Sequence, residues 1–311
     1  MEQSPDDIAT DVLETLAAAL FPGARVRGQH PMTGGSSAAM TAIDVDCGNG
    51  AEETVILRQC GGANLAANPH AARTEFQLLH ALHDRGLPVP RALHVDESLN
   101  LIDAPFLVIS HLDGQPDYGP EAPLDAARQM AVFLAGLHNI DVSSDDLAFV
   151  ERPADGPGYL ETERGALPEV FLKAHDMLEA AWPPANPNGP CLLHGDLWPG
   201  NMLWQDGRLT AVVDWEDATV GDPMADLAIA RVDMSWSYGF ESLDVFTTTY
   251  GELTGFDLST LPFWDLRASL RQVPHTADYA EGWQELGRLD VTQDIIGKCH
   301  QRLVEEALAA L

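Results

Sequence analysis

Lysine is almost missing from this 311-residue chain. Lys173 and Lys298 are the only two, and arginine supplies the other fifteen of 17 basic residues. Set against 48 acidic residues, this leaves a formal charge of −31. Binding to nucleic acid needs clustered basic side chains to neutralise phosphates, so nucleic acid is not an expected partner. The acidity reads first as solubility or adaptation to salt. The competing reading, steering of a cationic substrate, is weaker because the acidic residues are spread along the chain. Cysteine is scarce too: Cys47, Cys60, Cys191 and Cys299 show no Cys-x-x-Cys and no zinc spacing, which suits reduced thiols of a cytoplasmic protein. No run of about 18 apolar residues occurs, so no membrane span is expected. The acidic opening Met1–Asp7 lacks the basic-then-apolar order of a secretory signal. Nothing in the sequence specifies an oligomeric state.

What the chain does have is the octapeptide His194-Gly195-Asp196-Leu197-Trp198-Pro199-Gly200-Asn201, with Asp214 following the apolar run Ala211-Val212-Val213. Phosphoryl transfer in kinases uses an Asp to accept the hydroxyl proton, an Asn four intervening residues later to bind magnesium, and a further Asp on the metal. Asp196-x-x-x-x-Asn201 and Asp214 have those types at those spacings. Asp206-Gly207, between two short apolar runs, signals a two-residue hairpin. In a tight hairpin Gln205 faces Arg208 and Asn201 faces Val212, so Asp214 lies diagonally from Asn201 on the same side of the ribbon. One oxygen-seeking cation could then reach both. Taken singly, each of the three residues also reads as a turn, cap or strand-end residue.

These segments, with Val213-Asp214-Trp215-Glu216 and Gly221-Asp222-Pro223-Met224-Ala225-Asp226-Leu227-Ala228, resemble the aminoglycoside phosphotransferase and choline kinase superfamily. The resemblance is tightest over residues 191–228 and looser over about 25–270. It implies that Asp196 is the catalytic base and that Asn201 and Asp214 are Mg2+ ligands. It also implies that His194 shapes the loop, and that Asp222 and Asp226 bond backbone and cap a helix. The implied fold is α+β: a two-lobed protein-kinase-like fold with a small antiparallel-sheet N-lobe and a mainly helical C-lobe.

The pattern along the chain agrees with two lobes. Ser4-Pro5 starts a helix running to about Leu20. Residues 25–60 read as strands broken by Thr33–Ser37, with an Asn49-Gly50 hairpin. A helix follows over about Pro69–Arg85, then strands near Arg91–Val95 and Pro105–Ser110. His111–Gly114 marks the junction, giving an N-lobe of residues 1–112 and a C-lobe of 113–311. Helices are expected over about Pro123–Asn139, Glu169–Trp182, Pro223–Met234, Phe240–Thr254, Leu261–Val273 and Thr292–Leu311.

A nucleotide, ATP or GTP, is expected between the lobes. Gly34, Gly35, Ser36 and Ser37 sit where a kinase glycine loop would cradle phosphates, although Gly-Gly-Ser-Ser is also an ordinary turn. Arg58 stands where the family usually has lysine, and Glu75 on the next helix would pair with it. The competing reading is a surface ion pair at a strand end. Backbone groups of Ser110, His111 and Leu112 would meet the base. The acceptor, a small molecule carrying a hydroxyl, would lie among helices after Asp214, with Glu216, Asp233, Trp236, Tyr238 and Trp264 as candidates. The expected activity is ATP-dependent O-phosphotransfer to an antibiotic, such as an aminoglycoside or macrolide, or to a metabolite. The alternative is a catalytically weak nucleotide-binding pseudokinase acting through a partner, which only Arg58 supports. A protein kinase is disfavoured because Asp-Phe-Gly and Ala-Pro-Glu do not occur in the expected places. A His194-based metal hydrolase lacks a second histidine at ligand spacing.

Overall fold

Leu13, Leu16, Ala17 and Leu20 recur at the spacing of one helical face. A computed structural model, which describes residues 8–32, 38–48, 50–152 and 164–311, shows this face packed on a sheet as helix α1 (Thr10–Leu20). The chain divides into two units, Met1–Asp113 and Gly114–Leu311.

In the first unit α1 is followed by β1 (Arg25–Met32), β2 (Ala38–Asp46), β3 (Glu52–Cys60), α2 (Gly62–Ala67), α3 (Ala71–Asp84), β4 (Ala92–Asp96) and β5 (Phe106–Ser110). The strands form one antiparallel sheet in the order β1-β2-β3-β5-β4. Val55 and Leu57 of the central strand β3 join Ile43, Val45, Phe106 and Val108 beneath α1. Alternation sends Ile56 and Arg58 to the opposite face, where Arg58 meets α3. Helix α3 stops at Gly86, whose positive φ suits the left-handed C-terminal position. Gly86 N–H bonds to His83 and Leu87 N–H to Leu82.

One expectation shifts here. The last β2–β3 pair is Asp46 with Glu52, so the hairpin has a five-residue loop, 47–51, rather than a tight Asn49-Gly50 turn. Gly48 and Gly50 take positive φ in it, and Asn49 lies outside the described residues. Helix α2 has no counterpart in the sequence reading, and Ser4-Pro5 and Thr33–Ser37 also lie outside the described residues.

The second unit contains β6 (Gln115–Pro116), α4 (Pro123–His138), α5 (Glu169–Ala181), β7 (Cys191–Leu193), β8 (Met202–Gln205), β9 (Arg208–Val212) and β10 (Thr219–Gly221). It continues with α6 (Pro223–Ser237), α7 (Phe240–Thr254), α8 (Leu261–Gln272), α9 (Thr276–Glu285) and α10 (Gln293–Ala310). The expected helices are all present, and α9 is additional to them. No helix among the described residues is long and apolar enough to cross a membrane. Two small sheets, β6-β8-β9 and β10-β7, frame the loop 194–201.

The β8–β9 hairpin turns through Asp206 and Gly207, both at positive φ, with Gln205 opposite Arg208. The expected facing of Asn201 and Val212 is not found. The register shifts between Leu203 and Trp204, so Thr210 is an extra residue and Val212 faces Met202. Val213 N–H bonds to the Asn201 carbonyl at 2.9 Å. Thr210 Oγ1 also donates to the Leu203 carbonyl at 3.0 Å. A bulge adds one residue to the strand that leads to Asp214, and a count from the turn cannot see it.

Candidate active site

The loop from His194 to Asn201 joins β7 to β8, and buried groups bond it from both sides. Asp226, in the first turns of α6, has no exposed surface. Its carboxylate accepts from the N–H groups of His194 (2.6 Å) and Gly195 (2.9 Å) and faces His138 Nε2 at 3.4 Å. Burial alone would raise its pKa, but the hydrogen bonds from His138 and Gly195 hold it below the ordinary carboxylate value. Asp222 caps α6 by accepting from Met224 N–H at 2.9 Å. The backbone and capping roles implied for these two aspartates are both present. Gly195 has φ +87°, and a Cβ there would collide with the Asp217 carbonyl, so glycine alone fits.

His194 is fully buried, and burial lowers its pKa, so the ring is neutral. Nδ1 accepts from Asp196 N–H at 3.3 Å while Nε2–H donates to the Val213 carbonyl at 3.0 Å. One imidazole thus ties the backbone of Asp196 to the residue preceding Asp214. Asp214 takes a positive φ, a left-handed conformation uncommon for a non-glycine residue, which turns it out of strand alternation. Asn201 points its amide nitrogen at Asp196, 2.8 Å from the carbonyl and 3.1 Å from Oδ2. That leaves the amide oxygen as the atom suited to a metal. An amide oxygen and a carboxylate are the hard oxygen donors that magnesium prefers, so this donor set fits it. Burial pushes the pKa of Asp196 up to about 6, with the Asp217 and Asp214 charges acting the same way; Arg271 and the Asn201 bond oppose them.

Of the acceptor candidates, Asp233 belongs with this group. Burial and then the Asp196 charge raise its pKa to about 8, against the pull of Gln272, which donates to Oδ1 at 3.3 Å, and of Arg271. Glu216 is half-buried, two residues beyond Asp214. The three aromatic candidates serve the interior instead. Trp236 packs edge-on to His300 with centroids 4.9 Å apart, Tyr238 donates to the Asp117 carbonyl at 2.7 Å, and Trp264 Nε1 donates to Asp222 at 3.2 Å. All three are at most 9% exposed, because each lies on the inward face of its helix or at its buried end. Tyr238 also lines a cavity of about 670 Å³ with Pro123, Arg128 and Phe240, away from Asp196 in the chain.

Sequence reasoning missed several neighbours of the loop. Trp198 forms an aromatic triangle with Tyr118 (6.2 Å) and Trp283 (6.1 Å), and Tyr118 meets Trp283 edge-on at 5.6 Å. Tilted and edge-on pairs of this kind are the arrangements that ring quadrupoles favour. Trp198 packs against Gly200, where any Cβ would strike its ring. Arg288 holds the triangle: it donates to the carbonyls of Tyr118 and Ser237, grips Asp290 through two bonds of 2.9 and 2.7 Å, and lies 5.8 Å from the Trp283 centroid. Arg271 and Tyr279 share the electrostatic environment of Asp196 and Asp233. Trp198 sits inside the motif and could have been noticed there.

In the first unit Arg58 and Glu75 bond at 2.6 Å and are 5% and 6% exposed. The surface-pair reading is therefore excluded. Arg58 is also two residues short of the end of β3, opposite Met40 and Leu107. The N–H groups of Ser110 and His111 bond to the carbonyls of Arg91 (2.9 Å) and Thr54 (3.2 Å). The glycine-loop residues Gly34, Gly35, Ser36 and Ser37 are outside the described residues.

The raised pKa of Asp233 has a measurable consequence. Between an unfolded value of about 3.9 and a folded value of about 8, the folded chain keeps a proton that the unfolded chain releases. This carboxyl's contribution is thus complete below about pH 4 and is lost as pH rises toward about 8. Asp233→Asn is expected to be more stable than the parent at pH 8 by on the order of 1–3 kcal/mol, with the gap closing toward pH 5. Denaturant midpoints across that range check it.

A small antiparallel-sheet unit followed by a helical unit with this loop defines an α+β, protein-kinase-like fold. The chain belongs to the phosphotransferase enzyme family, whose profile matches residues 42–304. It is 33% identical over 177 residues to viomycin phosphotransferase of Streptomyces vinaceus, covering 51% of this chain and 60% of that protein. It is 28% identical over 203 residues to acyl-CoA dehydrogenase family member 11 of Rattus norvegicus, covering 59% of this chain but 26% of that much longer protein. Two solved structures share the fold. One is the macrolide 2'-phosphotransferase of Brachybacterium faecium, with a TM-score of 0.59 and 22% identity, covering 97% of this chain and 98% of that one. The other is a thermostable aminoglycoside phosphotransferase variant in ternary complex with ADP and hygromycin B, with a TM-score of 0.61 and 18% identity, covering 94% and 98%.

Proposed function

We propose that the protein transfers the γ-phosphoryl group of ATP, or of GTP, to a hydroxyl of a small molecule. One observation carries this: the Asn201 amide bonds the Asp196 carboxylate while His194 fixes the same loop to the residue before Asp214. The loop that carries Asp196 and Asn201 is thereby bonded to the backbone next to Asp214, and these are the three residue types that phosphoryl transfer uses. Asp196 orients the acceptor hydroxyl and takes its proton. The acceptor oxygen then bonds to the γ-phosphorus, and the bond from that phosphorus to the β–γ bridging oxygen breaks, releasing the nucleoside diphosphate. Asn201 and Asp214 would hold Mg2+, which neutralises phosphate charge when bound. Arg58, held by Glu75, is the expected phosphate contact of the first unit. A buried ion pair costs desolvation, and a forked guanidinium can serve a carboxylate and a phosphate together. Ser110, His111, Leu112 and the Gly34–Ser37 loop stay assigned to the nucleotide, and Glu216 and Asp233 to the acceptor side. One relative is named for viomycin and a fold neighbour was solved with hygromycin B, which supports a small molecule as acceptor; whether it is an antibiotic or a metabolite is what the acceptor panel reads. Solved neighbours holding ADP, AMP-PNP or GDP support a nucleotide donor.

The test is magnesium-dependent release of ADP from ATP, measured with and without a panel of alcohols, sugars, aminoglycosides, viomycin and macrolides. Stimulation by a hydroxyl compound, lost in Asp214→Asn, is expected. Nucleotide binding with no stimulated turnover would instead favour the silent, partner-directed module.

A further inference from the structure

Trp204, Trp215, Trp236, Trp264 and Trp283 are at most 7% exposed. Trp198 is only half-buried, and it stands two residues after Asp196. Along the loop, Asp196 and Trp198 are half-buried while Leu197 and Pro199 are buried. The backbone of Trp198 is extended (φ −127°, ψ 166°), and in extended chain alternate residues share a side. The indole and the Asp196 carboxylate therefore leave the loop on the same, accessible side, with their Cα atoms about 7 Å apart. The indole is held in place before any ligand arrives. Buried Trp283 meets its ring edge-on at 6.1 Å between centroids, and half-buried Tyr118 flanks it at 6.2 Å. The backbone beneath Tyr118 is clamped twice: the Asp117 carbonyl accepts from the Tyr238 hydroxyl at 2.7 Å, and the Tyr118 carbonyl accepts from Arg288. Side chains fixed in advance lose little freedom on binding. Trp198 Nε1–H and the Tyr118 hydroxyl form no hydrogen bond with another described residue. A rigid apolar face with two polar tips, beside a carboxylate, suits a ring that stacks on the face and offers hydroxyls to the tips. An open-chain alcohol presents no such face.

We propose that Trp198, backed by Tyr118, is the platform on which the acceptor lies, so that the hydroxyl phosphorylated here is carried by a ring rather than by an open chain. This rests on Asp196 being the base of a phosphotransferase. The apolar face of the ring lies on the indole, and a hydroxyl at its edge reaches the Asp196 carboxylate, which takes its proton. Trp198 sets which hydroxyl is presented and takes no part in bond making. The chemistry it selects, a flat apolar face bearing a hydroxyl, is shared by sugar and cyclitol rings and by aromatic alcohols.

The probes are glucose and myo-inositol as saturated rings, benzyl alcohol as an aromatic one, and sorbitol and glycerol as open-chain counterparts. Turnover is read as ADP release with magnesium and ATP. At least one ring probe is expected to exceed sorbitol and glycerol in kcat/KM by about tenfold or more, and which one distinguishes a saturated from an aromatic ring. Trp198→Ala is expected to raise the KM for that probe about tenfold with kcat within about threefold, and Trp198→Phe to recover part of the loss. AMP-PNP affinity in Trp198→Ala should stay within about threefold of the parent, which shows that the loop keeps its shape. Calorimetry of the ring probes with the AMP-PNP-loaded protein measures capture without turnover, and a similar loss of affinity is expected in Trp198→Ala. Open-chain probes that match the rings, an unchanged KM in Trp198→Ala, a loss of AMP-PNP affinity as large as the loss for the ring, or no ring binding to the parent protein each overturns the proposal. Ring capture that depends on Trp198, with no ADP release for any hydroxyl compound, overturns the phosphotransferase reading alone.

Discussion

Asp196→Asn is expected to lose acceptor-stimulated turnover by about 10²–10⁴-fold, the contribution usual for a positioned base. The substitution keeps the size of the side chain, and its amide oxygen can still accept from Asn201 Nδ2, which sits 3.1 Å from Asp196 Oδ2. The backbone bonds of residue 196, to His194 Nδ1 and from Asn201 Nδ2, do not involve its side chain at all. The loop should therefore keep its shape while the proton acceptor disappears. Single-turnover kinetics should show the loss in the chemical step, and ADP affinity should stay within about threefold of the parent. Turnover within about tenfold of the parent would remove Asp196 from the role of base.

The largest loss of stability is expected from Asp226→Ala, on the order of 3–5 kcal/mol. The carboxylate has no exposure, and removing it strands two backbone N–H groups, of His194 and Gly195, together with His138 Nε2. Buried donors left unpaired cost the full desolvation of each group. The effect should reach His138, whose Nδ1 lies 2.7 Å from the Tyr250 hydroxyl, and so loosen the contact of α4 with α7. Chemical denaturation should show the midpoint falling sharply. A drop below about 1 kcal/mol would mean that water replaces the carboxylate, and that Asp226 does not anchor the loop.

Much of the second unit is readable in the sequence because its helices carry strong punctuation. Proline at the first turns of α4, α6 and α8, and glycine after α7, mark limits that the structure matches closely. The loop 194–201 is readable as one unit because its residues are contiguous, and the proposed chemistry tolerates few residue types. Four things are hidden, each for a physical reason. The bulge at Thr210 changes the register by one residue, and turn chemistry at Asp206-Gly207 does not encode it. Helix α9 follows Pro274 and contains Gly282, so its propensity is poor and tertiary packing of Ala280 and Trp283 sustains it. Without α9, Tyr279 and Trp283 go unnoticed. The third is which side of a helix faces inward. Periodicity gives a stripe and not its partner, so Trp236 and Trp264 read as ligand contacts although their rings pack against His300 and Trp182. Burial of Arg58 is equally invisible, because a polar residue after Val55-Ile56-Leu57 looks like the end of a strand.

The two bonds of His194 make its ring a spacer of fixed length between a loop and a strand. Spacers of this kind work only while one nitrogen is bare, since a second ring proton would face the N–H of Asp196. Because its dry surroundings disfavour that proton, the separation between the two acidic ends is insulated from ordinary changes in acidity. The spacing between the loop and the strand is thus set by a rigid aromatic strut.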